Sequence, residues 1–211
     1  MIEVLRSKTP AEVRAAVAGF AEKYVHDWDR WRVAAPSERP SLFVKTLGKW
    51  QATRPRRLRR LRVRGGEHPP PHIEDLLEDA GPHLSVLAGF HVGRIKPLSA
   101  RERRALGHLW AVFCELQQSG GYSCVAITKA VLLLSDGRIG PAFDSQVRSR
   151  LGLAHLQTPN DWISALGDVT EDIRAFEAKH GTQLADTVPR RFSSLATGRL
   201  YDMALGPRKE P

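Results

Sequence analysis

The chain has 211 residues, of which 42% are hydrophobic and 26% charged, which is ordinary for a globular protein with one sizeable core. No apolar run approaches the ~20 residues that span a bilayer, and the N-terminal segment lacks the apolar core of a signal peptide, so we expect a cytoplasmic protein without a membrane partner. The two cysteines are too few for a disulfide framework or a cysteine zinc site, and neither a metal nor another cofactor is predicted.

The first predicted element is a helix with a strong start signal. Thr9-Pro10-Ala11-Glu12 is a capping box with proline at the first helical position. The apolar stripe that follows recurs at three- and four-residue steps as far as Trp31, so the pattern predicts one helix with a core face. The segment Pro36 to Pro40 should end it, and Ser41 can cap a short second helix that ends near Trp50.

The next segment, 53–72, is rich in arginine, proline and glycine and predicts a basic loop. Residues 1–66 contain 16 Lys+Arg and 6 Asp+Glu, whereas the remainder contains 16 and 17. Seven arginines of the loop carry most of the excess: Arg54, Arg56, Arg57, Arg59, Arg60, Arg62 and Arg64. Because guanidinium groups fork onto phosphate, we expect a nucleic acid to bind here. An acidic protein partner or a solvated loop also fits this pattern.

Helical signals resume after this loop. A helix through Ile73 and Leu76 should stop at Gly81. Ser99-Ala100-Arg101-Glu102 is a second capping box, and it begins a helix that Gly120-Gly121 should close. Helix therefore remains the dominant prediction in the middle of the chain.

The last third of the chain predicts four more helices. An apolar helix from about Ser123 to Leu134 should be buried at the centre, because it has no polar face. Shorter signals follow: Asp144 to Gly152, the cap-then-proline start at Thr158 with a stop at Gly181, and a final helix over roughly 194–205. We therefore predict a single all-α domain of eight to ten helices over residues 1–207, with a frayed tail at 208–211.

One stretch, Ser123 to Gly152, also carries a resemblance to a known family. Thr128-Lys129-Ala130 on the apolar helix and Pro141-x-x-Asp144-x-x-Val147 at the next helix start resemble the core of helix-hairpin-helix DNA glycosylases. In that superfamily a hairpin of bifunctional members ends in a lysine, and a later Pro-x-Asp-x-x-Val motif starts the next helix. Here Gly120-Gly121 precede the lysine at a greater distance than the family's hairpin glycines, and the lysine-to-aspartate separation is a few residues shorter.

The resemblance implies a helix-hairpin-helix core and two catalytic residues. Lys129 would attack the sugar C1′ as a nucleophile, and Asp144 would stabilise the cationic sugar and activate the nucleophile. The implied activity is removal or processing of a modified or damaged base by a DNA glycosylase or glycosylase/lyase, an N-glycosyl hydrolase, so the resemblance favours DNA over RNA as the partner. The target base must leave the base stack, which requires phosphate contacts on either side of it. Arg148, Arg150 and the basic loop could provide these contacts.

A structural interpretation of the same residues stays open. Asp144 sits where an N-cap belongs, and Lys129 can extend its ammonium from a buried helix to water. On that interpretation the protein is a non-catalytic helical module that binds nucleic acid or a partner protein.

Overall fold

The architecture is helical, as the sequence predicts. The computed structural model describes residues 2–50, 72–94, 96–116 and 123–206, and within these ranges it contains α-helices and turns without a β-strand. The arginine-rich run, Gly120-Gly121 and the tail at 208–211 lie outside the described residues.

Ten α-helices occur in the described ranges. They are α1 (Pro10–Ala18), α2 (Glu22–Val33), α3 (Arg39–Lys49), α4 (Ile73–Val86), α5 (Ala100–Cys114), α6 (Cys124–Leu134), α7 (Ser145–Leu151), α8 (Pro159–His180), α9 (Leu184–Thr187) and α10 (Thr197–Leu205). A single 3₁₀ turn, Arg190–Phe192, precedes α10. None of these helices is long and apolar enough to cross a bilayer.

One hydrophobic core holds the helices together, and α6 and α10 supply its most buried segments. Eight of the eleven residues of α6 are buried, as its apolar sequence predicts. In α10 every residue from Gly198 to Leu205 is buried. The two helices lie on either side of the turn that leads into α7, so that turn is enclosed by the core.

Three predicted helix starts and two predicted helix ends are confirmed. Thr9, Ser99 and Thr158 each form a full capping box, in which the side chain accepts from the third helical amide and the acidic residue there accepts in return. Gly152 and Gly181 end their helices with φ of 64° and 63°, in the left-handed region that favours glycine.

Two predicted boundaries in the N-terminal third are wrong. The single helix through Trp31 is two helices, because the chain turns between Ala18 and Glu22 so that α1 can pack on α10 while α2 contacts α3. The apolar stripe continues across the break, which is why the sequence pattern did not show it. Ser41 lies inside α3 and does not cap it, since the helix begins at Arg39 with Pro40 in its first turn.

The predicted stop at Gly81 is also wrong. Helix α4 continues through Gly81 and Pro82 to Val86, because it packs along α5 and brings the fully buried Leu87 into the core. His83 stacks on His108 of α5 with ring centroids 4.6 Å apart. Tertiary packing therefore outweighs the local helix-breaking signal here.

The capping box of α5 makes a testable prediction about pH. The Glu102 carboxylate accepts from the Arg94 guanidinium at 2.7 and 2.9 Å and from the Ser99 amide at 2.8 Å. The Arg94 hydrogen bond above all lowers the pKa of Glu102 to about 2. Because the folded pKa lies below the ordinary value of 4.5, the stabilisation is present above pH 4.5 and is lost as the pH falls to about 2.

We expect Glu102→Gln to lower the free energy of unfolding by about 1–2 kcal/mol at pH 7, measured by urea denaturation, and the difference from wild type to shrink below pH 4. Glu12→Gln is the matched control, since Glu12 closes the capping box of α1 and has Thr9 as its hydrogen-bond partner but no arginine. Equal losses in both variants at pH 7 would contradict a contribution from Arg94.

Candidate active site

Lys129 lies in the middle of α6 with its ammonium held at the helix surface. Its side chain is only 12% exposed, although a lysine usually extends into water. The Nζ atom donates to the carbonyl oxygen of Trp50 at 2.7 Å, at the end of α3. The ammonium is therefore positioned by a backbone contact and does not move freely in solvent.

Asp144 is the N-cap of α7, and its two carboxylate oxygens have different partners. Oδ1 accepts from the Val147 amide at 3.0 Å, which is the capping hydrogen bond. Oδ2 lies 3.6 Å from Lys129 Nζ. One carboxylate oxygen of Asp144 therefore forms the cap, while the other faces the lysine. The same side chain caps α7 and lies close to Lys129.

Side chains from two other helices fix the turn that presents Asp144. Thr128 Oγ1 accepts from the Phe143 amide at 3.0 Å while it donates to the Cys124 carbonyl at 2.6 Å. Asp202 Oδ1 accepts from the Ala142 amide at 3.0 Å. Two consecutive buried amides ahead of Asp144 are thus satisfied by side chains of α6 and α10, which fixes the direction of the carboxylate.

Asp202 is itself half of a buried ion pair. Arg199 donates to Asp202 Oδ2 at 2.6 Å, and the two residues are 2% and 6% exposed. Burial lowers the pKa of Arg199 and raises the pKa of Asp202, while each partner opposes the shift of the other. The nearby charge of Asp144 raises the pKa of Asp202 further.

An aromatic cage surrounds the guanidinium of Arg199. Its carbon lies 4.7 Å from the Trp28 ring centroid, 4.9 Å from Phe20 and 5.6 Å from Trp50. Trp28 and Trp50 stack nearly parallel, at 9° and 6.2 Å. The electron-rich ring faces compensate part of the lost hydration of the cation.

These groups converge on one small pocket, which we call the Lys129–Asp144 pocket. It is lined by Phe20, Tyr24, Trp50, Lys129, Leu132, Ala142, Asp144, Arg199, Asp202 and Gly206. Its volume is about 40 Å³, which admits a few water molecules. Two carboxylates and two cations at an apolar wall are an arrangement that can oppose charge developing on a small substrate group.

Of the other predicted site residues, Arg148 and Arg150 follow Asp144 on α7 and both make hydrogen bonds within the protein. Arg148 Nε donates to the Phe143 carbonyl at 3.1 Å, on the turn before Asp144. Arg150 donates to the carbonyls of Leu205 and Gly206 at the end of α10. The arginine run from Arg54 to Arg64 lies outside the described residues.

The sequence reasoning missed Thr128, Arg199 and Asp202 as parts of the site. Both charged residues fell in the predicted final helix over roughly 194–205, and the pair was given no role. A signal existed in Arg199 and Asp202, which are opposite charges three residues apart in a helix that is otherwise apolar. Their partners Trp28 and Ala142 are remote in sequence, and no local pattern indicates them.

No metal centre forms among the described residues, where no group of three histidine, cysteine or acidic side chains lies close enough to hold an ion. The buried Cys124 thiol has Phe143 O at 3.8 Å and His155 Nε2 at 3.9 Å. Burial raises the pKa of this thiol, which disfavours the thiolate form that a metal ligand or nucleophile needs.

Comparison with known proteins gives no relative: no family model, no curated protein and no solved structure matches this chain.

The buried pair predicts a large stability effect. Asp202→Asn keeps an acceptor for the Ala142 amide but leaves the Arg199 cation without its counter-charge, so we expect the free energy of unfolding to fall by about 3 kcal/mol. Adding Arg199→Met removes the stranded charge, and the double variant should lose less than the sum of the single losses. Chemical denaturation measures all three.

The exposed residue Asp136 provides the control for this cycle. Asp136→Asn removes a surface carboxylate and should change the free energy of unfolding by less than about 0.5 kcal/mol. An Asp202→Asn variant that is as stable as Asp136→Asn would contradict the structural role of the ion pair.

Proposed function

We propose that this protein is a DNA glycosylase-like enzyme that processes a damaged or abasic site, with Lys129 as the nucleophile and Asp144 as the charge-stabilising carboxylate. The observation that supports the proposal is the 3.6 Å approach of Lys129 Nζ to Asp144 Oδ2 in one pocket. Lys129 lies on α6 and Asp144 caps α7. The side chains of Thr128 and Asp202 accept from the two amides just before Asp144 and so position its turn.

The part assigned to Asp144 follows from its orientation. Loss of a base leaves positive charge on the deoxyribose, and a fixed carboxylate lowers the energy of that state more than that of the neutral substrate. The capping hydrogen bond to Oδ1 holds Oδ2 in place before the reaction, so little reorganisation is needed. A carboxylate that has to be oriented by the substrate would contribute less.

The part assigned to Lys129 is formation of an imine. At an abasic site the open sugar carries an aldehyde at C1′, which a neutral amine attacks to form a C–N bond. The carbinolamine then loses water and leaves a protonated imine. For this the ammonium must give up a proton, for which Asp144 Oδ2 is the neighbouring acceptor, and must exchange its hydrogen bond to the Trp50 carbonyl.

The size of the pocket favours the abasic sugar as the substrate. A volume of about 40 Å³ holds a few water molecules and not a nucleobase. The pocket must open to admit any sugar, and a sugar without a base requires a smaller opening than an intact nucleoside. Lyase chemistry on the abasic site is therefore the step that the described residues support best.

DNA is the partner that the charge distribution favours. Lys23 and Arg30 line a shallow depression that shares Tyr24 with the Lys129–Asp144 pocket, and the third cation there, Lys49, is paired with Asp27 at 2.8 Å. From Trp50 the chain continues directly into the seven-arginine run. A phosphate backbone bound by Lys23 and Arg30 would lie beside Tyr24, which also lines the Lys129–Asp144 pocket.

Borohydride trapping on abasic-site DNA tests the chemistry. The wild type should become covalently linked to the DNA, and Lys129→Gln should abolish the linkage because no amine remains. Lys45→Gln is the control, since Lys45 is an exposed lysine of α3. Trapping of Lys129→Gln at the wild-type rate would exclude Lys129 as the nucleophile.

The rate of trapping tests Asp144 separately. Asp144→Asn keeps an oxygen for the Val147 amide and should leave stability nearly unchanged. It removes the negative charge that accepts the Lys129 proton and stabilises the protonated imine, so we expect the reaction to slow by about 100-fold or more. Asp136→Asn serves again as the control. Early melting of Asp144→Asn with full activity would assign the residue to capping alone.

Salt dependence tests the nucleic-acid contact. If the arginine run contacts phosphates, log affinity should fall with log salt by roughly one unit for each contact. Replacing Arg56, Arg57, Arg59 and Arg60 with glutamine should flatten that slope, whereas replacing the exposed Arg101, Arg103 and Arg104 of α5 should not. Equal salt slopes for the two variants would show that the arginine run does not contact the phosphates of the nucleic acid.

A non-catalytic helical module is the second candidate, and a specific observation favours it. Lys129, Asp144, Arg148 and Arg150 all make hydrogen bonds that stabilise the fold. A module would bind DNA with the same salt slope but form no borohydride adduct, so the trapping experiment separates the two candidates.

A further inference from the structure

The Lys129–Asp144 pocket is smaller than a sugar, so one of its walls has to move before a substrate can enter. Its volume of about 40 Å³ holds only water molecules. Seven of its ten lining residues are buried, and close packing holds buried side chains in place. The other three, Tyr24, Lys129 and Asp144, are half-buried and therefore form the mouth of the pocket.

Two of the three residues at the mouth are held by hydrogen bonds. Lys129 Nζ donates to the Trp50 carbonyl at 2.7 Å, and Asp144 Oδ1 accepts from the Val147 amide at 3.0 Å. A displacement of either side chain costs one of these hydrogen bonds. Both residues also carry the proposed chemistry, so opening the pocket by moving them would disrupt the reacting groups.

The side chain of Tyr24 is held more weakly. Within the described part of the chain its hydroxyl makes no hydrogen bond, and its ring has only ring contacts. The ring centroid lies 6.0 Å from that of Phe20 and 6.4 Å from that of Trp50, and Lys23 Nζ lies 5.0 Å from it. Tyr24 is therefore the wall of the pocket that can move without breaking a hydrogen bond.

The backbone around Tyr24 determines the kind of motion. Its amide donates to the Ala21 carbonyl at 3.1 Å, and its carbonyl accepts from Arg199 Nη2 at 3.5 Å. Opening is thus a rotation of the side chain and not a shift of α2. The shallow depression lined by Lys23 and Arg30 lies on the other side of Tyr24, and its volume of about 410 Å³ has room for the rotated ring.

We propose that Tyr24 is the specificity-determining residue of the Lys129–Asp144 pocket. Its ring closes the mouth at rest, and rotation toward the depression admits a narrow, open-chain aldehyde to Lys129 while excluding a group that carries an aromatic ring. An abasic sugar in its open form is narrow, whereas a nucleoside has the width of its base. That the natural aldehyde is an abasic sugar rests on the proposed function, but the gating by Tyr24 does not.

Reductive alkylation with propanal and with benzaldehyde tests this gate without DNA. Each aldehyde condenses with a lysine amine to an imine with loss of water, and hydride from cyanoborohydride reduces the imine to a secondary amine. Mass spectrometry measures labelling of Lys129 relative to the exposed Lys45 in the same digest, which cancels the intrinsic reactivity of each reagent. In the wild type this relative labelling should be at least about tenfold higher for propanal than for benzaldehyde, because the ring of benzaldehyde does not pass Tyr24.

Two variants separate the ring of Tyr24 from its hydroxyl. Tyr24→Ala leaves the mouth open, so the relative labelling by the two aldehydes should become equal to within about twofold. Tyr24→Phe keeps the ring and should retain the wild-type preference. Val25→Ala is the matched control, since Val25 is a half-buried neighbour on α2 that does not line the pocket.

Equal relative labelling of wild-type Lys129 by both aldehydes would overturn the gate, and so would a Lys129 that neither aldehyde labels in Tyr24→Ala. The wild-type comparison needs no substitution, so it decides the question even if Tyr24→Ala melts early. Borohydride trapping on abasic-site DNA without an aldehyde preference would overturn the gate alone. A strong preference without trapping would overturn the proposed function and leave the gate in place.

Discussion

The buried ion pair between Arg199 and Asp202 is the interaction on which the rest of the site depends. One carboxylate oxygen of Asp202 binds the guanidinium at 2.6 Å, and the other accepts the Ala142 amide at 3.0 Å. The guanidinium is enclosed by aromatic rings from α2 and from the residues flanking α1 and α3. One residue pair of α10 thus joins the N-terminal helices to the turn that presents Asp144.

A buried pair of this kind contributes little net stability compared with well-packed apolar residues, but it penalises any arrangement that separates its members. That property suits a site whose parts come from distant segments of the chain. Backbone packing enforces the same register, because a Cβ at Gly198 would lie 2.6 Å from the Gly137 carbonyl oxygen. The start of α10 therefore lies directly against the turn at 137–140, which leads to Asp144.

The sequence alone predicted the helix boundaries that depend on contacts between neighbouring residues. The capping boxes at Thr9 and Ser99 and the cap-then-proline signal at Thr158 predicted helix starts correctly, because the hydrogen bonds involved span three residues. The ends at Gly152 and Gly181 were equally predictable from glycine in the left-handed region. The helical class followed from these signals, and the burial of α6 followed from its lack of a polar face.

The rest depends on contacts between remote segments, which no local pattern contains. Gly81 predicted a helix end, but packing of α4 on α5 carries the helix past it. Lys129 and Asp144 were identified as neighbours by resemblance, and their 3.6 Å geometry comes from Thr128 and Asp202. The role of Asp202 follows from its two contacts, the Ala142 amide and the Arg199 guanidinium. The contact with Ala142 spans 60 residues, so no local pattern indicates it.

Mapping the covalent adduct tests the central claim most directly. After borohydride reduction on abasic-site DNA, trypsin should fail to cleave at a modified Lys129, so mass spectrometry should find the sugar remnant on a single peptide from Ala105 to Arg138. That result would establish Lys129 as the amine that forms the imine. An adduct on Lys23, on Lys49 or on the N-terminal amine, with unmodified Lys129, would contradict the account.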